Sequence, residues 1–232
     1  MIEIIKTNLG YFSGYSNDVL FDNLKKGNGH EKNILNFIEK NITSNDICVE
    51  VGANIGAISV LLSKRCKKLY CFEPQHNIYL ALCGNLFLNE CYNVFPIEAA
   101  AYYKNSNFSI ASKEKLDCWV GDYDKGYDFV KSFGSISIEE KQDGDIIGKK
   151  IDDIVKEKIK FIKCDAEGGD LSALMGAQET INNSKPIIIF EFHKDNSWKC
   201  YKQTWDDYAN FFNKINYQLM QIDESNILAI PK

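Results

Sequence analysis

The stretch ICVEVGANIGAIS, residues 47–59, reads as a short apolar strand, a glycine-bounded turn and the start of a helix. Residues 47–51 are too few and too apolar for anything but a buried strand. Gly52 and Gly56 bracket the turn, and AISVLLSKRC (57–66) continues as a helix with Ile58, Leu61 and Leu62 inward. The same unit then repeats. LYCFE (69–73) is a second strand closed by Pro74, residues 77–90 a helix with Ile78, Leu82 and Leu86 four apart, and NVFPIEA (93–99) a third strand containing Pro96. Strand, helix, strand with short links gives right-handed parallel units.

Working outward, the pattern resumes at FIKCD (161–165). A helix near 169–182 carries Leu171, Leu174 and Met175, and PIIIFEF (186–192) is a strand buried on both faces. A helix over about 202–214 should bury Trp205, Tyr208 and Phe212. YQLMQIDESNILAI closes the chain as a hairpin around Asp223–Ser225. Upstream, EKNILNFIEKNI is a helix with Ile34, Leu35, Ile38 and Ile42 on one side, and residues 1–28 read as loops and short strands. Residues 102–160 mix aromatics, charges and glycines, and are too long for a structureless loop. The expected fold is therefore doubly wound α/β: a mostly parallel seven-stranded sheet, helices on both faces, a C-terminal antiparallel hairpin, and a small β-rich cap between the third and fourth strands. One domain spans 1–232, with 1–45 a substrate-side extension and helix and 102–160 the cap insertion.

Bulk properties narrow the partners. A net charge of −5 argues against nucleic acid and acidic membranes, which favour a basic face. Trp119, Tyr123 and Tyr127 could stack on bases, but no basic stripe accompanies them. No run is long enough to span a membrane, and the N-terminus lacks a secretory pattern, so a cytoplasmic location is expected. The eight cysteines form no CxxC pair and read as reduced thiols.

In an open parallel sheet, ligands bind beyond the carboxyl ends of the strands. The first strand ends in Glu50-Val51-Gly52-Ala53-Asn54-Ile55-Gly56. Dinucleotide turns read GxGxxG; here the spacing is GxxxG with an acid two residues earlier. S-adenosylmethionine (SAM) carries an ammonium, a carboxylate and a sulfonium and has no phosphate. Glu50 suits the ammonium, and the backbone of Gly52, Ala53, Asn54 and Gly56 suits the carboxylate. Glu73 ends the second strand, where a carboxylate can accept from two ribose hydroxyls. A solvated surface acid is the plainer reading of Glu73. Glu98 and Ala99 end the third strand; small residues there leave room for adenine, although alanine is also ordinary core.

The fourth and fifth strands bring Asp165, Glu167, Glu191 and His193 to one edge. Asp165 or His193 could take the acceptor's proton while Glu167 and Glu191 orient the acceptor. Alternation would place Glu191 and His193 on one face, although a histidine just past a strand is as readily a surface residue. The spacing is not diagnostic of a metal site, and none is expected.

Together these residues resemble the FkbM family of SAM-dependent methyltransferases. The likeness rests on VEVGANIGAIS (49–59), FEP (72–74), Asn85–Asn89, IKCDAEGGDLSALMGA (162–177) and KPIIIFEFH (185–193). The family block K-x-D-x-E-G-x-E falls on Lys163, Asp165, Glu167, Gly168 and Asp170. KKIDDI (149–154) resembles the element just upstream, and NGHE (28–31) places the family's glutamate at Glu31, a cofactor-side position. Glu50 and Asp170 exchange one acid for another, and the insertion matches only through Gly134–Ser137. The resemblance implies SAM as cofactor and O-methylation of a sugar, glycan or small-molecule hydroxyl. A homodimer through the N-terminal segment or the cap is compatible with it. Two rivals share the sheet. One is a nicotinamide-dependent oxidoreductase, disfavoured by GANIG and the acid at 50; the other is a non-catalytic nucleoside-binding module.

Overall fold

The computed structural model describes residues 1–27, 31–112, 115 and 130–232. Trp119, Tyr123, Tyr127 and Cys118 lie outside them. An N-terminal hairpin, β1 (Ile2–Lys6) and β2 (Tyr11–Tyr15), leads into α1 (Val19–Lys25) and α2 (Lys32–Asn41). The core follows as β3 (Ile47–Val51), α3 (Ala57–Arg65), β4 (Lys68–Glu73), α4 (His76–Leu88) and β5 (Val94–Glu98). The insertion builds β6 (Ala100–Ala101), β7 (Ser106–Ile110), β8 (Ile138–Glu140), β9 (Ile146–Lys149) and the short α5 (Ile151–Ile154). Next come β10 (Phe161–Cys164), α6 (Asp170–Met175), α7 (Gln178–Ser184) and β11 (Ile187–Glu191). α8 (Lys194–Tyr201), α9 (Trp205–Lys214), β12 (Tyr217–Gln221) and β13 (Asn226–Pro231) complete the chain.

The main sheet has seven strands in the order β12-β13-β11-β10-β3-β4-β5, parallel except where β13 pairs with β11 and β12. Chain order reverses between β3 and β10, so the crevice for a ligand opens there. Both faces are covered, which explains the continuous apolar runs. Cys48, Leu69, Phe161 and Ile189 pack with α2, α3 and α4. Val49, Phe72, Ile162 and Phe190 pack with α6, α7 and α9 on the other face. Pro96 is tolerated because β5 is an edge strand with β4 as its one neighbour. The expected cap strands form a second, four-stranded sheet, β6-β9-β7-β8.

Three expectations need correction. The single helix over 169–182 is two, broken at Gly176–Ala177. A side chain at Gly176 would meet the Tyr102 carbonyl oxygen at 2.1 Å, so the insertion's backbone occupies that space. Asp152 from the insertion then caps α7, its carboxylate accepting from the N–H of Glu179 (2.9 Å) and Thr180 (2.8 Å). The helix over 202–214 starts at Trp205 behind a Thr204–Asp207 capping box, and α8, which precedes it, has too few apolar residues to show helical periodicity. Trp205 is 39% exposed rather than core and packs edge-on against Phe192. Seven cysteines among the described residues are free thiols. No helix among those residues is long and apolar enough to cross a membrane.

Asn85 and Asn89 have a structural use. One turn apart on α4, they present amides to the outer edge of β2 in place of a neighbouring strand. Asn85, fully buried, accepts from the Ser13 N–H (2.6 Å) and donates to the carbonyls of Ser13 and Ile55. Asn89 accepts from the Tyr11 N–H and donates to its carbonyl. The hairpin is thereby fixed to the turn after β3.

Candidate active site

The turn after β3 is shaped by what approaches it. Gly52 has φ +76°, and a Cβ there would stand 1.8 Å from the Asp165 carbonyl oxygen. Only glycine lets the ends of β3 and β10 come this close. The N–H groups of Gly52 and Ala53 both donate to the Phe72 carbonyl at 3.0 Å. Asn54, also left-handed, donates its N–H to Glu73 Oε2 at 2.9 Å, and the Gln75 N–H donates to Glu73 Oε1 at 2.8 Å. Glu73 is buried, so burial pushes its carboxyl up to about 7, against the pull of those two donors. One carboxylate therefore ties the two strand-end turns together.

Alternation along β3 and β10 puts Glu50 and Lys163 opposite one another in parallel register, on the face that packs α2 and α3. Both are buried. Glu50 accepts from Ser59 Oγ at 2.5 Å, and burial raises its carboxyl to about 8 despite the nearby Lys163 ammonium. Lys163 Nζ lies 2.8 Å from Asp165 Oδ2 and 3.5 Å from Glu31 Oε1.

Beyond β10 the chain turns through Asp165-Ala166-Glu167-Gly168-Gly169. Glu167 sits in the left-handed region at φ 49°, held by Asn196 Nδ2 on its carboxylate (3.1 Å) and Ser137 Oγ on its carbonyl (3.0 Å). A side chain at Gly168 would meet the Ser197 backbone nitrogen at 2.5 Å, so α8 rests directly on this turn. Asp170, fully buried, accepts from the N–H groups of Ala166 (3.3 Å) and Glu191 (3.4 Å) and joins the ends of β10 and β11. Burial raises Asp170 to about 7 and Glu191 to about 9; burial, with Asp165 adding repulsion, pushes Glu167 well up. Carboxylate oxygens of Asp165, Glu167 and Glu191 come within 4.8 Å of one another, a spacing a hard cation could bridge.

These groups line one cavity of about 470 Å³, within the range that holds a nucleoside-sized ligand. Glu31, Glu50, Gly52, Ala53, Asn54, Glu73, Ala99, Asp165, Glu167 and Glu191 all face it. Three expected residues do not. Glu98 is on the exposed side of the edge strand and pairs with His76 Nδ1 at 2.7 Å. His193 is turned away because β11 ends at Glu191 and the backbone bends at once into α8, which His193 caps, so strand alternation no longer applies. Its Nδ1 is buried without a hydrogen-bond partner. Gly56 serves packing: at φ +90°, a Cβ would press on Leu82 at 2.8 Å.

Several lining residues escaped the sequence. Lys163 could have been found from its two-residue spacing to Asp165. Ser132, Gly134, Ser135 and Ile136 arrive from the insertion, on a loop held by Asp18 Oδ2 accepting from the Phe133 N–H and by Gln75 Nε2 donating to the Phe133 carbonyl, both at 2.9 Å. Tyr102, Phe108 and Tyr201 give an aromatic wall, and Ser225 and Asn226 come from the last hairpin turn. Gly134, Ser135 and Ile136 fall in the stretch 134–137 that resembles the family; no local pattern marks the others, because chain positions far apart are brought together only by the fold.

The buried acids make a prediction. Carboxyls raised above their ordinary range of about 4 hold protons in the folded chain that the unfolded chain has released. Stability should therefore fall as pH rises from about 5 through 9, the window set by Asp170, Glu73, Glu50 and Glu191. The ligand-free protein should melt several degrees lower at about pH 8.5 than at about pH 6 in scanning fluorimetry. A melting temperature that climbs over this interval would contradict the buried, raised acids.

The model of the methyltransferase FkbM domain matches residues 50–219, from Glu50 to the start of the final hairpin. The chain belongs to the FkbM methyltransferase family. Two curated relatives match part of the chain. A Methanocaldococcus jannaschii tRNA(Phe) (4-demethylwyosine(37)-C(7)) aminocarboxypropyltransferase is 30% identical over 125 residues, 50% of this chain and 47% of its own. Methyltransferase sdnD of Sordaria araneosa is 26% identical over 170 residues, 60% of this chain and 63% of its own. The chain thus spans about half to three-fifths of these relatives' length. Among solved structures, a candidate methyltransferase of Streptococcus mutans in complex with SAH (S-adenosylhomocysteine) superposes at a TM-score of 0.52. It is 13% identical, with 87% of this chain and 98% of that one covered, a likeness of fold alone.

Proposed function

We propose that this FkbM-family protein is a SAM-dependent methyltransferase acting on a hydroxyl of a sugar, glycan or small molecule. One observation carries the reading: the cavity at the sheet's switch point runs from Glu50, the Gly52–Asn54 turn and Glu73 into a carboxylate cluster beside an aromatic wall. The residues present fit the cofactor. Glu73 keeps oxygen lone pairs toward the cavity for two ribose hydroxyls, because each oxygen is used by one backbone donor. Asp165 supplies negative charge for the ammonium end with the Glu50 carboxyl beside it as a hydrogen-bond acceptor, and small Ala99–Ala101 leave space for a flat base.

SAM, when bound, supplies a methyl made electrophilic by its sulfonium. The chain must align an acceptor oxygen, exclude water and accept one proton. Asp165 is the proton acceptor in this reading: it faces the cavity, and Lys163 balances a negative charge on it. Glu191 and Glu167, pushed up by burial, keep protons near neutral pH and can donate hydrogen bonds to acceptor oxygens. Among the described residues, six carboxyl-bearing side chains and one lysine line the cavity; they offer an uncharged polyol many hydrogen-bonding partners and a phosphate-rich acceptor one cation, which Asp165 already holds.

The test is incubation with labelled SAM and a panel of sugars, glycans, nucleotides and tRNA, read by mass shift. Methylation of a neutral hydroxyl compound supports the reading; methylation confined to nucleic acid refutes the acceptor class. With the acceptor in hand, Asp165→Ala should lower turnover at saturating SAM about 100-fold or more, while SAH, losing one of the acids beside its ammonium, still binds in calorimetry about fivefold more weakly. Loss of both together would mean that Asp165 serves the cofactor or the fold instead.

A further inference from the structure

We propose that Lys163 is the positioning residue for the amino-acid end of the cofactor, holding Glu31, Glu50 and Asp165 around one buried ammonium at the cavity floor. The inference rests on the SAM reading above and gives a role to a residue that reading leaves beside the chemistry. Lys163 is 2% exposed, yet it lines the cavity with all three acids. It reaches each from a different part of the chain. Asp165 follows it by two residues, just past the end of β10, with Nζ–Oδ2 at 2.8 Å. Glu50 faces it across the β3–β10 pair in register. Glu31 begins α2 with left-handed backbone and comes to 3.5 Å, which ties the N-terminal part of the chain to the sheet.

A lysine buried at this depth is stable only among opposite charges, and three acids gathered here, Glu50 buried and Glu31 and Asp165 half-buried, are stable together only around a cation. Each side therefore fixes the other. One ammonium against three carboxyls leaves a net negative corner, which suits the ligand's ammonium. Without Lys163, like-charge repulsion would turn Asp165 and Glu31 aside or leave them protonated, and that corner would no longer be shaped for an amino-acid group. The nucleoside end, assigned to Glu73 and the small residues Ala99–Ala101, lies away from this group of charges and should not register its loss.

Two ligands separate these ends. SAH carries the amino-acid tail; 5′-methylthioadenosine has the same nucleoside and thioether without it. In calorimetry, Lys163→Met should weaken SAH about 30-fold and 5′-methylthioadenosine less than about threefold. A purely structural role would weaken both by the same factor, and that result, like an unchanged ratio, overturns the proposal. If Lys163→Met does not fold, Glu31→Gln decides: it should weaken SAH selectively, by about fivefold, and an unchanged ratio overturns the proposal. Wild-type protein that binds neither ligand refutes the cofactor reading, and this proposal with it. Wild-type binding of both with no selective loss in the variants removes this proposal alone.

Discussion

Gly52→Ala should destabilise the protein by about 3 kcal/mol and abolish measurable SAH binding. The position combines two penalties. Its φ of +76° disfavours any side chain, and a Cβ there would lie 1.8 Å from the Asp165 carbonyl oxygen, backbone that cannot swing aside. Relief requires β3 and β10 to separate at their carboxyl ends, which is where the cavity opens. Asp165 and Lys163 would move with β10, so the damage reaches the acid cluster as well as the turn. Urea unfolding with SAH titration measures both effects. A variant with wild-type midpoint and affinity would show that the two strand ends do not meet this closely. Gly27, also at positive φ but with nothing within 4 Å of a built Cβ, is the control. Gly27→Ala should cost about 1 kcal/mol, from φ alone.

Glu73→Ala should weaken SAH binding about 100-fold or more. Two charge-assisted hydrogen bonds to the ribose would be lost, each worth about 1.5–3 kcal/mol. The structure adds a second loss. Without the carboxylate, the N–H groups of Asn54 and Gln75 have no acceptor, so the turn after β3 and the start of α4 both loosen. Glu73→Gln keeps one oxygen and places an amide donor against one backbone N–H. Its affinity should fall between wild type and Glu73→Ala. An unchanged dissociation constant in Glu73→Ala would refute the ribose assignment. Equal losses in both variants would show that charge, rather than acceptor geometry, is what the site uses.

The sheet was legible because burial on both faces leaves an unmistakable record. ICVEV, LYCFE, FIKC and PIIIFEF are apolar without alternation, and short links between strand and helix leave one handedness for each parallel unit. The glycine turn and Glu73 were legible because they are local: the strand, the turn and the acid that closes the next strand are set by adjacent residues. The reading failed where a distant segment intervened. The backbone at Tyr102 fills the space beside Gly176 and ends one helix, and Asp152 caps the next across the fold. His193 was assigned by alternation, a rule that holds inside a strand and lapses where the backbone turns; Glu98 was assigned because it ends a strand, and on an edge strand that end faces outward.

By itself, then, the sequence determined the parallel core, the places of Glu50, Gly52 and Glu73 at the strand ends, and the family, since each depends on neighbours in the chain. Tertiary structure alone decided that Lys163 gathers acids from three elements, that Asn85 and Asn89 secure the hairpin, and that the insertion and the final hairpin close the cavity. Charges and amides act through space over a few ångströms, and which residues come that near is fixed by packing rather than by order along the chain.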